Sequence, residues 1–427
     1  MIRPKDWPKG WKRKMCKMLR GFNYKFTEGV IPVINEIIHG DCLEVLVTLE
    51  DNSIDSIVTD PPYELGFMNK KWDSTGIAYN VDLWKECLRV LKPGGHLLAF
   101  GGTRTYHRMT CAIEDAGFEI RDCIMWIYGS GMPKSHDISK AIDKKLGTYV
   151  EGKLLPSSRT TGASATGIAT TFRKKTASNP QSPEAQQWKG WGTALKPANE
   201  PIVLARKPLS EKTVAENVLK WGTGGLNIDG TRIPTNEKLG RNNKARSDGT
   251  SYIIQRKDRY IDNSTGKGRF PANVILDEEA GKLLDEQSGI SKPRKGRTGK
   301  RGGTAWHGQK GIGSPDKIGR WPSDSGGGAS RFFYCAKASK KERGEGNNHP
   351  TVKPVKLMEY LIKLVTPPEG IVLDPFLGSG TTVIACINTG RNYIGFELDK
   401  QYYDIAKNRI NKHILDNNLQ DKYSLII

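Results

Sequence analysis

Ile371-Val-Leu-Asp-Pro-Phe-Leu-Gly-Ser-Gly-Thr-Thr382 decides the fold. The apolar run Ile371 to Leu373 reads as a strand. Gly378 and Gly380 permit a tight turn and close approach of a ligand, and Val383 to Asn388 continues as a helix with free N–H groups in its first turn. Strand, glycine turn and helix in this order build a parallel sheet covered by helices on both faces. The turn lacks the third glycine of the dinucleotide fingerprint and the Gly-Lys-Ser/Thr of a phosphate loop, so NAD and ATP are disfavoured. Glu397 stands seventeen positions after Gly380, at the end of the next strand, Tyr393 to Phe396, where a carboxylate can bind ribose hydroxyls. A nucleoside without a pyrophosphate fits this arrangement best.

A second strand-end loop lies far upstream. Ser56-Ile-Val-Thr59 reads as a strand ending at Asp60-Pro61-Pro62-Tyr63, a tetrapeptide that a chain of this length would show by chance only roughly 0.003 times. Around it, Val33 to His39 reads as a strand ending at Gly40-Asp41, with a helix from Cys42. Leu83, Trp84, Cys87, Leu88 and Leu91 fall on one face of a helix that Lys92-Pro-Gly-Gly95 stops. Strands His96 to Phe100 and Phe118 to Tyr128 follow, with a helix between them. Near the other end, Val355 to Val365 is an amphipathic helix closed by Pro367-Pro368, and a last helix runs through Tyr403 to Ile410. Open sheets of this kind place ligands at the carboxyl ends of their strands, where both loops stand.

The 427 residues suggest two or three domains at roughly 150 residues each. The net charge of +20 implies a polyanionic partner. Between Glu151 and Lys340 there are 34 basic and 17 acidic residues, so the middle of the chain carries +17 of that excess. It is rich in Gly, Ser, Thr, Asn and Pro, which favours long loops, and a single run such as Lys292 to Arg301 reads better as a solvated linker. No uncharged run of eighteen residues suggests a membrane span, and no apolar core follows the basic start to suggest export. The seven cysteines form no C-x-x-C pair, so neither a disulfide framework nor a metal ribbon is expected.

The Asp60 loop suits a planar base bearing an exocyclic amine. That nitrogen is a poor nucleophile because its lone pair is delocalised into the ring. A carboxylate at Asp60 and the Pro61 carbonyl, both accepting from the amine, draw the lone pair out of conjugation, while Tyr63 stacks on the base. An electrophile then needs only to lie in line with the nitrogen. Pro-Pro after a strand is also an ordinary way to end it. The loop Glu64 to Asp73, with Phe67, Met68 and Trp72, reads equally as a wall of the site and as core packing.

On these residues the chain resembles the DNA amino-methyltransferases, which transfer a methyl group from S-adenosylmethionine to adenine N6 or cytosine N4. Asp60, Pro61, Pro62 and Tyr63 are similar to their catalytic motif. Asp374, Pro375, Phe376, Gly378, Ser379, Gly380, Thr381 and Thr382 are similar to their cofactor loop, Glu397 to the ribose-binding acid, and Asp41 to the acid beside the cofactor adenine. His349-Pro-Thr-Val-Lys-Pro354 is similar to the segment along the methionine end of the cofactor, which adds Thr351 and Lys353. The resemblance covers residues 33–209 and 331–412. It implies an α/β fold with a doubly wound, Rossmann-like methyltransferase sheet, circularly permuted because the catalytic motif precedes the cofactor loop, with a basic recognition region inserted.

The implied organisation is a basic N-terminal arm at 1–32, a catalytic half at 33–209 with a loop insertion at about 150–190, a target recognition domain at 210–330 and a cofactor-binding half at 331–427. The implied partner is double-stranded DNA in the cytoplasm, with no metal. Arg241, Lys244, Arg246, Arg256, Lys257, Arg259, Lys292, Arg294, Lys295, Arg297, Lys300 and Arg301 are the candidate DNA contacts, their charges neutralising phosphates. Trp188, Trp191, Trp221 and Trp306 read as small-cluster packing rather than stacking platforms. A homodimer and a cognate restriction endonuclease are further partners that the resemblance leaves open.

No Pro-Cys dipeptide occurs, which removes the nucleophilic cysteine of cytosine C5 methylation. Cytosine N4 shares the chemistry of adenine N6, but that branch more often begins its motif with serine, so Asp60 favours adenine. A DNA-binding protein that kept the fold and lost activity is the non-enzymatic alternative.

Overall fold

A computed structural model describes residues 34–66, 71–131, 135–151, 179–235, 268–293, 297–300, 318–321, 326–336 and 352–426. The arm at 1–32, Thr351, Arg241, Lys244, Arg246, Arg256, Lys257, Arg259, Arg294, Lys295, Arg301 and Trp306 lie outside the described residues, as do Phe67 and Met68.

Strand β1 (Glu36–His39) leads into α1 (Cys42–Leu46), and β2 (Ile54–Thr59) into the Asp60 turn. Helix α2 (Val81–Val90) runs into β3 (Leu91–Phe100), and α3 (Tyr106–Asp115) into β4 (Glu119–Ile127). An excursion bearing α4 (Ile138–Leu146) and α5 (Pro183–Gln187) returns through β5 (Asn199–Arg206), followed by α6 (Val214–Trp221), β6 (Val274–Asp277) and α7 (Glu278–Ser288). After β7 (Arg297–Lys300), β8 (Ile318–Trp321) and β9 (Tyr334–Ala336), the chain closes with α8 (Val355–Val365), β10 (Ile371–Asp374), α9 (Thr381–Thr389), β11 (Asn392–Glu397) and α10 (Lys400–Asp416).

Nine strands form one sheet in the order β1, β11, β10, β2, β3, β5, β4, β6, β9. Neighbours run parallel except around β5, which is antiparallel to both β3 and β4. Every residue of β2 is buried, as expected of a parallel strand covered on both faces. One face is packed by Leu357 and Leu361 of α8, Val383 of α9 and Ile410 of α10. The other is packed by Leu46 of α1, Trp84 of α2 and Met109 of α3. The expected doubly wound sheet is therefore present, and its permutation is visible as β10, from late in the chain, pairing with β2 through Val372–Ser56 and Leu373–Ile57.

Local signals explain the elements around the site. Asn80 caps α2 by accepting from Asp82 N, and Leu83, Trp84, Cys87 and Val90 form its buried face. Leu91, expected on that helical face, is instead extended and opens β3. Lys92-Pro-Gly-Gly95 does end the helix, but it lies within β3 as an irregularity between the pairs Ile54–Leu91 and Ser56–His96, with Gly94 at φ 79°. The sheet also reaches into the stretch assigned to target recognition, because β6 pairs with β4 and β9 with β6. The second half of the Lys292–Arg301 run is strand rather than loop, with Arg297–Lys300 paired antiparallel to Ile318–Trp321. Trp188 and Trp191 meet edge to face at 5.1 Å, the small-cluster packing expected of them, at a partly exposed position. Among the described residues no helix is long and apolar enough to cross a membrane.

Candidate active site

Asp60 and Asp374 stand at the carboxyl ends of adjacent parallel strands, so the two loops singled out in the sequence occupy one edge of the sheet side by side. A direct bond joins them: Thr59 Oγ1, one residue before Asp60, donates to Asp374 Oδ1 at 2.6 Å. Asp374 Oδ2 accepts from Thr382 Oγ1 at 2.5 Å, and Oδ1 also accepts from Phe376 N at 3.1 Å. Asp374 is therefore a brace that ties β2, the glycine turn and α9 together. Burial pushes its carboxyl up to about 6, with the bonds from Thr382, Thr59 and Phe376 opposing that rise.

The glycine turn is held by both flanks. Gly378 N donates to Glu397 Oε2 at 2.7 Å, Asp399 N donates to Glu397 Oε1 at 2.9 Å, and Leu377 N donates to Phe396 O at 2.8 Å. Burial raises the Glu397 carboxyl to about 7, while its bonds from Asp399 and Gly378 work the other way. Gly378 and Gly380 have φ of 56° and 81°, a region that only glycine adopts without strain. Asp41, at the end of β1, caps α1 by accepting from Leu43 N at 2.8 Å, and Gly40 N donates to Glu397 O at 3.0 Å, so the Asp41 and Glu397 strand ends are adjacent. Arg409 on α10, which sequence reading missed, clamps the turn by donating to Ser379 O at 2.9 Å and Thr381 Oγ1 at 2.9 Å.

At the Asp60 loop the structure adds a contact that the sequence does not suggest. Lys353, expected along the methionine end of the cofactor, holds its ammonium Nζ 2.5 Å from Asp60 Oδ2 and 3.4 Å from Glu200 Oε2. Tyr63 OH donates to the same Glu200 oxygen at 2.8 Å, and Thr105 Oγ1 donates to Tyr63 O at 2.7 Å. Lys353 also lies 5.4 Å from the centre of the Tyr63 ring and 5.0 Å from that of Phe100. Burial raises the Asp60 carboxyl above the usual aspartate range and Glu200 adds to the rise, against the pull of Lys353. Burial opposes the Lys353 ammonium, but the two carboxylates outweigh it and hold its pKa above the usual lysine value. Asp60 Oδ1 is buried and has no hydrogen-bond partner among the described residues.

Beyond Tyr63 the described backbone is braced by two carboxylates. Asp73 accepts from Glu64 N at 3.0 Å and Leu65 N at 3.2 Å, and Glu64 accepts from Gly76 N at 2.8 Å. Glu200, Phe100 and Thr105 were not foreseen as site residues. The available signal for Glu200 was an acid inside the otherwise apolar run Glu200-Pro-Ile-Val-Leu-Ala205.

A family model described as DNA methylase, of the N6/N4 amino-methyltransferase type, matches residues 54–408. The chain belongs to this family. Among sequence relatives, it is 24% identical to the type II methyltransferase M.HindIII of Haemophilus influenzae over 419 residues, spanning 88% of this chain and 96% of that one. It is 22% identical to the type II methyltransferase M.HpaI of Haemophilus parainfluenzae, spanning 88% of this chain and 73% of that one. Among solved structures, the PvuII DNA methyltransferase (cytosine-N4-specific) aligns with a TM-score of 0.42 at 14% identity, covering 91% of this chain and 92% of that one. As a DNA amino-methyltransferase, the chain takes its methyl group from S-adenosylmethionine. The glycine turn fits that cofactor, with positive φ at two glycines and a carboxylate at each of two neighbouring strand ends.

Proposed function

We propose that this DNA methyltransferase acts on adenine N6 in double-stranded DNA. One observation carries the amine chemistry: Asp60 Oδ1, a buried carboxylate oxygen without a partner among the described residues, at the end of the strand beside the glycine turn. A buried acceptor left unmatched costs about 1–3 kcal/mol, which a donor on the substrate recovers. Asp60 Oδ1 and the Pro61 carbonyl accept the two N–H bonds of the target amine and localise its lone pair on nitrogen. Tyr63, fixed at its backbone and at its hydroxyl, offers its ring face to the base. Because a paired base hides its amine, the target rotates out of the duplex to reach Asp60. Gly378 to Thr382 hold the cofactor, with Glu397 on its ribose hydroxyls and Asp41 near its adenine. When bound, S-adenosylmethionine supplies an electrophilic methyl group on a sulfonium.

Aspartate at the head of the motif supports adenine over cytosine N4, whose chemistry is otherwise the same. Residues 210–330 are proposed as the region that reads the target, with the basic side chains between 241 and 301 on phosphates, and a DNA substrate implies the cytoplasm. Expression in a methylation-free bacterium, followed by sequencing of genomic DNA for modified bases, tests the proposal. N6-methyladenine at one recurring sequence is expected. N4-methylcytosine would reassign the base, and unmodified DNA would overturn the reading.

A further inference from the structure

Glu200 has no part in the motifs described above, yet it touches two side chains that carry the chemistry. Strand β5 is the only strand of the described sheet that runs against its neighbours, so its first residues, not its last, lie at the edge where β2 and β10 end. Trp126 near the end of β4 pairs with Glu200, which places this acid over the Asp60 loop. There Glu200 Oε2 accepts the Tyr63 hydroxyl at 2.8 Å and lies 3.4 Å from Lys353 Nζ, whose shorter contact, 2.5 Å, is to Asp60 Oδ2.

We infer that Glu200 is a positioning residue for methyl transfer: it fixes the tip of the Tyr63 ring and draws Lys353 to one side of Asp60, leaving Oδ1 open to the target amine. Two physical arguments support this. An ammonium held by one carboxylate alone is free to sit across both of its oxygens, and a second carboxylate on one flank removes that freedom. In addition, Asp60 and Lys353 alone form a neutral pair, whereas with Glu200 the three ionised groups sum to one negative charge. The amine nitrogen becomes positive as it gains a methyl group, and a fixed negative charge in a water-poor site favours that state. As the N–CH3 bond forms, the S–CH3 bond of the sulfonium breaks and its electron pair returns to sulfur, leaving a neutral thioether; the surplus proton on nitrogen then passes to Asp60 Oδ1. Other ionisable groups face this carboxylate too: Lys353 ahead of α8, Tyr63 on its own loop, Asp374 at the end of β10 and, beyond Glu200, Tyr128 after β4.

The inference rests on the methyltransferase reading, and the test separates the two. The full chain and its Glu200→Gln variant are assayed for methyl transfer to duplex DNA over a range of pH, with binding of S-adenosylmethionine and of DNA measured independently. Glutamine keeps an acceptor for Tyr63 and removes the charge. The expected result is a fall in kcat of about tenfold or more, on the scale of losing one preorganised electrostatic contact. Both binding constants should stay within about threefold, and the acid limb of the rate profile should move to lower pH, because Glu200 is one of the charges that raise Asp60. Tyr63→Phe, which keeps the ring and drops a hydroxyl that holds the Asp60 carboxyl down, should lower the rate and move that limb the opposite way, to higher pH. Glu200→Asp should retain the wild-type limb and serves if the glutamine variant does not fold. Unchanged kcat and an unmoved limb in Glu200→Gln would overturn the inference while active wild-type protein leaves the functional reading intact. Inactive wild-type protein would instead remove the reading itself.

Discussion

Replacing Lys353 with Met keeps an unbranched side chain of similar length and removes the ammonium shared by two acids. Those acids' nearer oxygens lie 2.5 and 3.4 Å from one nitrogen, so they are no more than about 6 Å apart. At an effective dielectric near 20, two unit charges at that separation repel by about 3 kcal/mol. Breaking a buried pair by deleting one partner typically costs about 3–5 kcal/mol, and Lys353 is only 7% exposed. Urea unfolding at pH 8 should therefore show a stability deficit of about 3 kcal/mol against the wild type. The pH dependence has a definite sign. Asp60 already has a raised pKa in the folded protein, and losing the cation raises it further. An acid whose folded pKa is raised is penalised while ionised, so the deficit is full above that pKa and shrinks as the pH falls and the carboxylate pair takes up a proton. Unfolding followed from pH 8 downward measures both features. A deficit below about 1 kcal/mol at pH 8, or one that grows as the pH falls, would refute the view that Lys353 neutralises a buried acid pair.

Three further outcomes are expected. Gly380→Ala places a methyl group 3.0 Å from Ile410 Cδ1 and 3.2 Å from Ala406 Cβ at φ 81°. Left-handed backbone alone costs about 1–2 kcal/mol, so urea unfolding should reveal at least that loss together with weaker cofactor binding, and a neutral variant would contradict the packing described. Burial pushes the Glu397 carboxyl up to about 7, and the proposed contact with the cofactor ribose needs its ionised form as acceptor. Calorimetric affinity for S-adenosylmethionine should fall below that pH, towards a limit of about tenfold per unit, and Glu397→Gln should flatten the dependence. Neutralising the basic residues of the Lys292–Arg301 run should weaken binding to all DNA sequences and reduce the slope of affinity against salt, whereas a full slope would make that run a linker.

The edge that gathers Asp60, Asp374, Glu397 and Asp41 was legible because strand ends in a parallel sheet collect at one side, and each of these residues follows a short apolar run. The partners of Asp60 were not legible. A lysine just before a helix gives no sign of where its ammonium goes, and Lys353 reaches across to the acid from a position 293 residues away. Glu200 escaped for a different reason: an apolar run marks a strand but not its direction, and only the antiparallel course of β5 brings its beginning to the catalytic edge. Strands β6 and β9 are four and three residues long, too brief for periodicity to stand out in a basic, glycine-rich stretch. Leu91 fits a helical face by spacing, but the chain turns extended there because the following Pro93 and Gly94 cannot continue a helix.

Methyl transfer to duplex DNA by Asp60→Ala, measured beside its affinity for S-adenosylmethionine, tests most directly whether the acid and the glycine turn serve one reaction. Transfer should disappear while cofactor binding stays near the wild-type value, since Asp60 lies on the neighbouring strand and takes no part in holding the turn. Undiminished transfer by this variant would contradict the assignment of the amine to Asp60.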